Sequence, residues 1–151
     1  MPDSRPEDAT PKTRGEFLEM NSLRILIVDD SPAMRAYIRR TVQLASLPVK
    51  NVFEAGNGAE ALEIVQKENR APNKLDLIFA DLNMPVMNGE EFVQKLRADE
   101  RDARVPILII STDATQKRVI RLRELGAQGY ISKPCQPEMI RLKVQQILGD
   151  E

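Results

Sequence analysis

The chain has 151 residues, 22 of them basic and 23 acidic, for a net charge of −1; this suits one domain of common size, and the even balance supplies no broad attraction to nucleic acid or an anionic membrane. Histidine is absent and Cys135 is the single cysteine, which excludes Ser-His-Asp and Cys-His catalysis, HExxH zinc sites, an intrachain disulfide and cysteine-ligated metal clusters. No apolar run approaches the roughly 18 residues of a membrane span, and residues 1–20 lack the apolar core of a signal peptide, so a cytoplasmic protein without membrane insertion is expected.

Residues 1–22 carry three prolines and many charges, a composition that cannot offset its ordering entropy. They are expected to be a disordered leader to a domain spanning 23–149. The first candidate strand, 24–28, ends in the apolar run Ile25 to Val28 and meets Asp29 and Asp30 at once. Ser31 as N-cap and Pro32 at the first helical position open a helix in which Met34, Ile38, Val42 and Ala45 recur at helical spacing. The second strand, 51–54, ends in Glu54 and Ala55, outside the expected site, and Asn57 caps a helix with Ala61, Leu62 and Val65 turned inward.

The third strand, 75–80, delivers Asp81, and Asn88 with Glu91 three residues later forms a capping box before Phe92 and Leu96. The fourth, 107–110, delivers Ser111 and Thr112; its helix carries Val119, Leu122 and Leu125 and stops at Gly126, a left-handed cap. The fifth, 129–132, delivers Lys133, and a last helix begins near Pro137 with Ile140, Val144 and Ile147 on its stripe.

Five β-α units with right-handed crossovers predict an α/β fold, a doubly wound parallel sheet with helices on both faces. In such a fold the ligand site lies outside the carboxyl ends of the strands. A lone Asp at a strand end is usually a turn former or a helix cap. Here four of the five strands end in complementary groups: Asp29 and Asp30, Asp81, Ser111, and Lys133. One like-charged pair a few ångströms apart costs roughly 3 to 4 kcal/mol at an effective dielectric near 20. One lysine against three carboxylates leaves a charge of −2, so either raised carboxylate pKa values or a bound cation must relieve the repulsion. Oxygen ligands without Cys or His suit a hard ion such as Mg2+, with Mn2+ as the alternative. Carboxylate, metal, hydroxyl and lysine together are the parts of a phosphoryl-transfer site.

The stretches VDDSPAMR (28–35), FADLNMPVMNGEEF (79–92), ILIIST (107–112) and GYISKP (129–134) resemble the receiver domains of two-component response regulators, specifically the stand-alone CheY-like type. The resemblance runs from about residue 23 to 148 and implies a flavodoxin-like (βα)5 sandwich with strand order 2-1-3-4-5. It also implies roles. Asp81 is the phosphoacceptor, Asp30 a direct Mg2+ ligand and Asp29 its acidic partner, while Asn83 gives a backbone carbonyl to the metal. Ser111 binds the phosphoryl oxygen, Lys133 pairs with it through a cis Lys133-Pro134 bond, and Tyr130 switches rotamer with Ser111. Asn83, Thr112 and Asp113 tune the phosphoryl lifetime; Thr112 and Asp113 depart from the commoner smaller and longer residues at their positions, and Cys135 from a bulkier one.

A signalling module is therefore expected, not an enzyme in the usual sense. A histidine kinase or phosphotransfer protein supplies the phosphoryl group, and the face of the fourth helix, fifth strand and fifth helix engages an unidentified protein target. The state is monomer or phosphorylation-dependent dimer. Lys117, Arg118 and Arg121 form a basic strip on the fourth helix, read as a solvated face, with an acidic partner as the lesser reading. No DNA-binding or catalytic segment follows Leu148, so a single-domain receiver is expected. The rival is a small haloacid-dehalogenase-type hydrolase, which also forms an aspartyl phosphate, but its first-strand DxDx[TV] motif is DDSPA here.

Overall fold

A computed structural model of the chain describes residues 23–70, 74–99, 104–113 and 115–149. The expected leader, 1–22, lies outside the described residues. Ten elements alternate: β1 (Leu23–Val28), α1 (Pro32–Leu44), β2 (Val49–Ala55), α2 (Gly58–Glu68), β3 (Leu77–Ala80), α3 (Gly89–Ala98), β4 (Ile107–Ser111), α4 (Gln116–Leu125), β5 (Gly129–Ser132) and α5 (Pro137–Leu148). The strands form one parallel sheet in the order β2-β1-β3-β4-β5, as expected.

The period-2 alternation of side chains divides the core in two. Ile25, Ile27, Leu77, Phe79, Leu108 and Ile110 face α1 and α5, meeting Ile38, Val42, Ile140 and Val144. Leu26, Val28, Ile78, Ala80, Ile107 and Ile109 face the other way, against Ala61 and Val65 of α2, Phe92 and Leu96 of α3 and Leu122 of α4. Strands β1, β3 and β4 are buried almost throughout, whereas the edge strands β2 and β5 expose part of their length.

Helix starts follow the capping chemistry. The Ser31, Asn57, Asn88 and Thr115 side chains each accept an N–H from the first turn, and Asn88 with Glu91 closes the reciprocal box. Gly126 ends α4 at φ +116, a left-handed conformation that other residues resist. Three strand starts depart from expectation. β1 begins at Leu23, not 24, and β2 at Val49, not 51, because Leu23 pairs with Val49. β3 begins at Leu77, not 75, because Asp76 does by side chain what a strand neighbour does by backbone: its carboxylate accepts the Arg24 N–H at 2.8 Å.

Register sets the site. Val28 lies opposite Ala80, and Ala80 opposite Ile109. The next residues of β1 and β3, Asp29 and Asp81, therefore leave the sheet side by side, and Asp81 N–H donates to the Val28 carbonyl at 2.9 Å. β4 runs two residues further and carries Ser111 to the same rim, paired with Ser132 of β5 just before Lys133.

Candidate functional site

Asp29 and Asp81 are 1% and 7% exposed, while Asp30 stands in solvent at the mouth. One carboxylate oxygen from each of the three lies within 4.8 Å of the others. The β1–α1 turn holds Asp29 from several sides: its Oδ1 accepts the Ser31 N–H at 2.9 Å, and its carbonyl accepts Nη1 of Arg35 at 2.7 Å. Asp81 Oδ1 accepts the Leu82 N–H at 2.8 Å. Gly89, at the start of α3, closes the back of this loop, because a Cβ there would stand 2.3 Å from the Asp81 carbonyl oxygen.

Lys133 supplies the cation. Its Nζ donates to Asp29 Oδ2 at 3.0 Å and lies 3.5 Å from Asp81 Oδ2, with the side chain only 13% exposed. The Lys133-Pro134 bond is cis, and the Lys133 N–H donates to the Ser111 carbonyl at 2.9 Å. The lysine thus sits closer to Asp29 than to the residue expected to accept phosphate. Burial pushes the Asp81 carboxyl above its ordinary range; Lys133 and the Leu82 N–H pull the other way, and Asp29 adds to the rise. Excess negative charge remains, and three carboxylate donors with no imidazole or thiolate among them in the described residues are the donor set of a hard divalent cation such as Mg2+.

Ser111 is fully buried, and its Oγ accepts the Asp113 N–H at 3.3 Å. The Tyr130 hydroxyl donates to the Asp113 carbonyl, so both expected switch residues converge on the β4–α4 loop. Thr112 is exposed and Asp113 half-buried. Asn83 is exposed two residues beyond Asp81. The basic strip on α4 is partly matched within the chain: Arg118 lies 3.7 Å from Asp113, and Arg121 3.7 Å from Glu90. Cys135 is buried, and burial pushes its thiol up, away from the reactive thiolate.

Sequence reasoning did not anticipate Arg35. Its guanidinium joins the Asp29 carbonyl to Glu54 at the end of β2, 2.9 Å away, and Arg39 lies 2.9 Å from the same carboxylate. Glu54 stays outside the acidic cluster but is one side chain removed from it. The signal was present as two arginines four apart on α1, opposite a strand ending in Glu.

The model of the response regulator receiver domain matches residues 25–145. The chain belongs to that family. Receiver domains are the signalling modules of two-component systems, and the CheY-like members are the ones this chain matches over most of its length. It is 38% identical over 127 residues to chemotaxis protein CheY1 of Helicobacter pylori (strain J99), covering 84% of this chain and 98% of that protein. With chemotaxis protein CheY of Pseudomonas aeruginosa the identity is 33% over 125 residues, or 83% of this receiver and 95% of the relative. The solved structure of chemotaxis response regulator CheY4 of Vibrio cholerae superposes with a TM-score of 0.71 at 34% identity, covering 83% and 98% of the two chains. Among the described residues no helix is long and apolar enough to cross a membrane.

Proposed function

We propose that this receiver domain accepts a phosphoryl group on Asp81 from a histidine kinase or phosphotransfer protein, in a Mg2+-dependent reaction. The observation that carries the reading is the buried Asp29–Asp81–Lys133 constellation with Asp30 at its mouth. Asp30, Asp81 and the Asn83 backbone carbonyl would hold the ion, with Asp29 as their acidic partner. When bound, the ion neutralises the phosphate and carboxylate charge that one lysine cannot.

Asp81 attacks phosphorus as the carboxylate. The bond from phosphorus to the donor imidazole nitrogen breaks, and the electron pair stays on that nitrogen, which takes a proton from solvent. Ser111 and Lys133 engage the transferred oxygens, so Lys133 must give up part of its contact with Asp29. Later attack by water on phosphorus returns inorganic phosphate and the free carboxylate. Asn83, Thr112 and Asp113, which rim this approach, set its rate.

The withdrawal of Lys133 and Ser111 toward the phosphoryl group is the switch, and Tyr130 carries it to the α4-β5-α5 face. That face offers a surface depression lined by Tyr130, Pro134, Gln136, Met139 and Lys143, with Ile120 of α4 exposed beside Lys117 and Arg121. Its target is a protein; dimerisation of the phosphorylated chain through α4 and α5 is the competing use of the same surface.

Incubation with a small acyl phosphate and Mg2+, read by intact mass, tests the site. The wild type should gain one phosphoryl group and Asp81→Asn none. Equal gain by both would overturn the assignment, and multiple turnover of unrelated phosphate esters would favour a haloacid-dehalogenase-type hydrolase.

A further inference from the structure

The loop that carries Lys133 is tied sideways to α1. The Tyr37 hydroxyl donates to the carbonyl of Cys135, two residues past Lys133, at 2.8 Å, across 98 positions of sequence. Tyr37 sits less than two turns along the helix whose N-cap, Ser31, donates its N–H to Asp29. The same helix grips the Asp29 carbonyl through Arg35 and is braced at Tyr37 by the Thr41 hydroxyl, which donates to the Tyr37 carbonyl at 2.7 Å. On the far side of the loop, Gln136, the N-cap of α5, makes no side-chain capping bond. One helix therefore reaches Asp29 through its first turn and, through a tyrosine hydroxyl, the loop two residues past Lys133.

We infer that Tyr37 is a positioning residue for Lys133: its bond to the Cys135 carbonyl fixes where the ammonium stands between Asp29 and Asp81. The inference rests on the phosphoacceptor reading of Asp81. Tyr37 touches neither carboxylate and acts only through the loop. Removing its hydroxyl leaves the ring in place and frees the loop to drift, so the ammonium spends less time where the transferred oxygens need it.

The test uses the full chain with Tyr37→Phe, Lys133→Gln and the double variant, assayed with acetyl phosphate and Mg2+ at saturating donor. Loss of one hydrogen bond should slow phosphorylation of Tyr37→Phe by roughly three- to tenfold, with the donor concentration at half-maximal rate unchanged. In the Lys133→Gln background the same substitution should cost nothing further, since no ammonium is left to place. Amide hydrogen exchange at Lys133, measured without metal or donor, should quicken in Tyr37→Phe.

A wild-type rate in Tyr37→Phe, or penalties that multiply in the double variant, would overturn the inference while leaving Asp81 as phosphoacceptor. Absence of any phosphoryl gain by the wild type would instead remove the reading of Asp81. Unchanged exchange at Lys133 would by itself overturn the positioning role.

Discussion

Two charge clusters sit at opposite ends of the sheet, and they differ in balance. At the amino end, Arg24 donates from its side chain to the Glu68 carbonyl at 3.1 Å, the Glu68 carboxylate at 3.0 Å and Asn51 at 3.3 Å. Its guanidinium also stands over the Phe53 ring at 5.2 Å, and its backbone N–H is taken by Asp76. Donors and acceptors are matched there, and a matched cluster has nothing left to offer a ligand. At the carboxyl end, Asp29 and Asp81 share Lys133 while Asp30 adds a third carboxylate at the mouth, and one oxygen from each of the three lies within 4.8 Å of the others. Side chains are withdrawn from solvent at both ends; the unbalanced charge is what supports the proposed site at the carboxyl end.

The sharpest way to test this contrast is to enlarge the imbalance. Lys133→Gln removes the ammonium paired with Asp29 and Asp81, and phosphorylation with a small donor should slow by roughly 10²-fold, the usual cost of losing one preorganised charge or donor at a transferring group. Mg2+ should bind this variant more tightly, because the ammonium no longer competes for Asp29 and Asp81; calorimetric titration reads that directly. Slower phosphorylation together with weaker Mg2+ binding would mean that the lysine organises the carboxylates instead of opposing the ion.

Stability should divide the two ends in opposite directions. Asp76→Ala strips the acceptor from the Arg24 N–H and should cost about 1 to 3 kcal/mol, with the rate of phosphorylation unchanged. Asp81→Asn, in the absence of divalent cations, relieves repulsion and should gain on the order of 1 kcal/mol while losing all phosphorylation. Denaturant midpoints for the two variants decide it, and a loss of stability in Asp81→Asn would show that Lys133 already balances the cluster.

Much of this division was legible before any coordinates. Apolar runs closed by Asp29, Asp81, Ser111 and Lys133 brought these residues to one rim of the sheet, because a central parallel strand is buried along its length and shows polar groups only where it stops. The N-caps Ser31, Asn57 and Asn88 were readable because capping is local in sequence. Strand order came from the family resemblance and not from periodicity, which does not say which strands are neighbours. The early start given to β3 failed for a related reason: Asp76 looks like a polar interruption in a strand and is a side-chain substitute for one, visible only once Arg24 is beside it. Arg35 was missed because its carboxylate partner Glu54 lies 19 positions away, so the paired arginines of α1 named no partner, and Tyr37 because its bond spans 98 positions.

The mildest test concerns the link between the acidic cluster and the edge of the sheet. Glu54 bonds Arg35 and Arg39, and although burial alone would raise its carboxyl, hydrogen bonds and charge from the two arginines hold it below its ordinary value of 4.5. The folded chain therefore binds that proton less tightly than the unfolded one, so the contribution of Glu54 is present above about pH 4.5 and fades as pH falls through the lowered value. Because the pair is a third exposed, screening keeps it below about 1 kcal/mol. Glu54→Gln should accordingly lower the urea midpoint slightly at pH 7, and the gap to wild type should shrink at pH 3. A gap that persists unchanged at pH 3 would mean that Glu54 acts through packing, and that Arg35 holds the Asp29 carbonyl without help from the carboxylate charge.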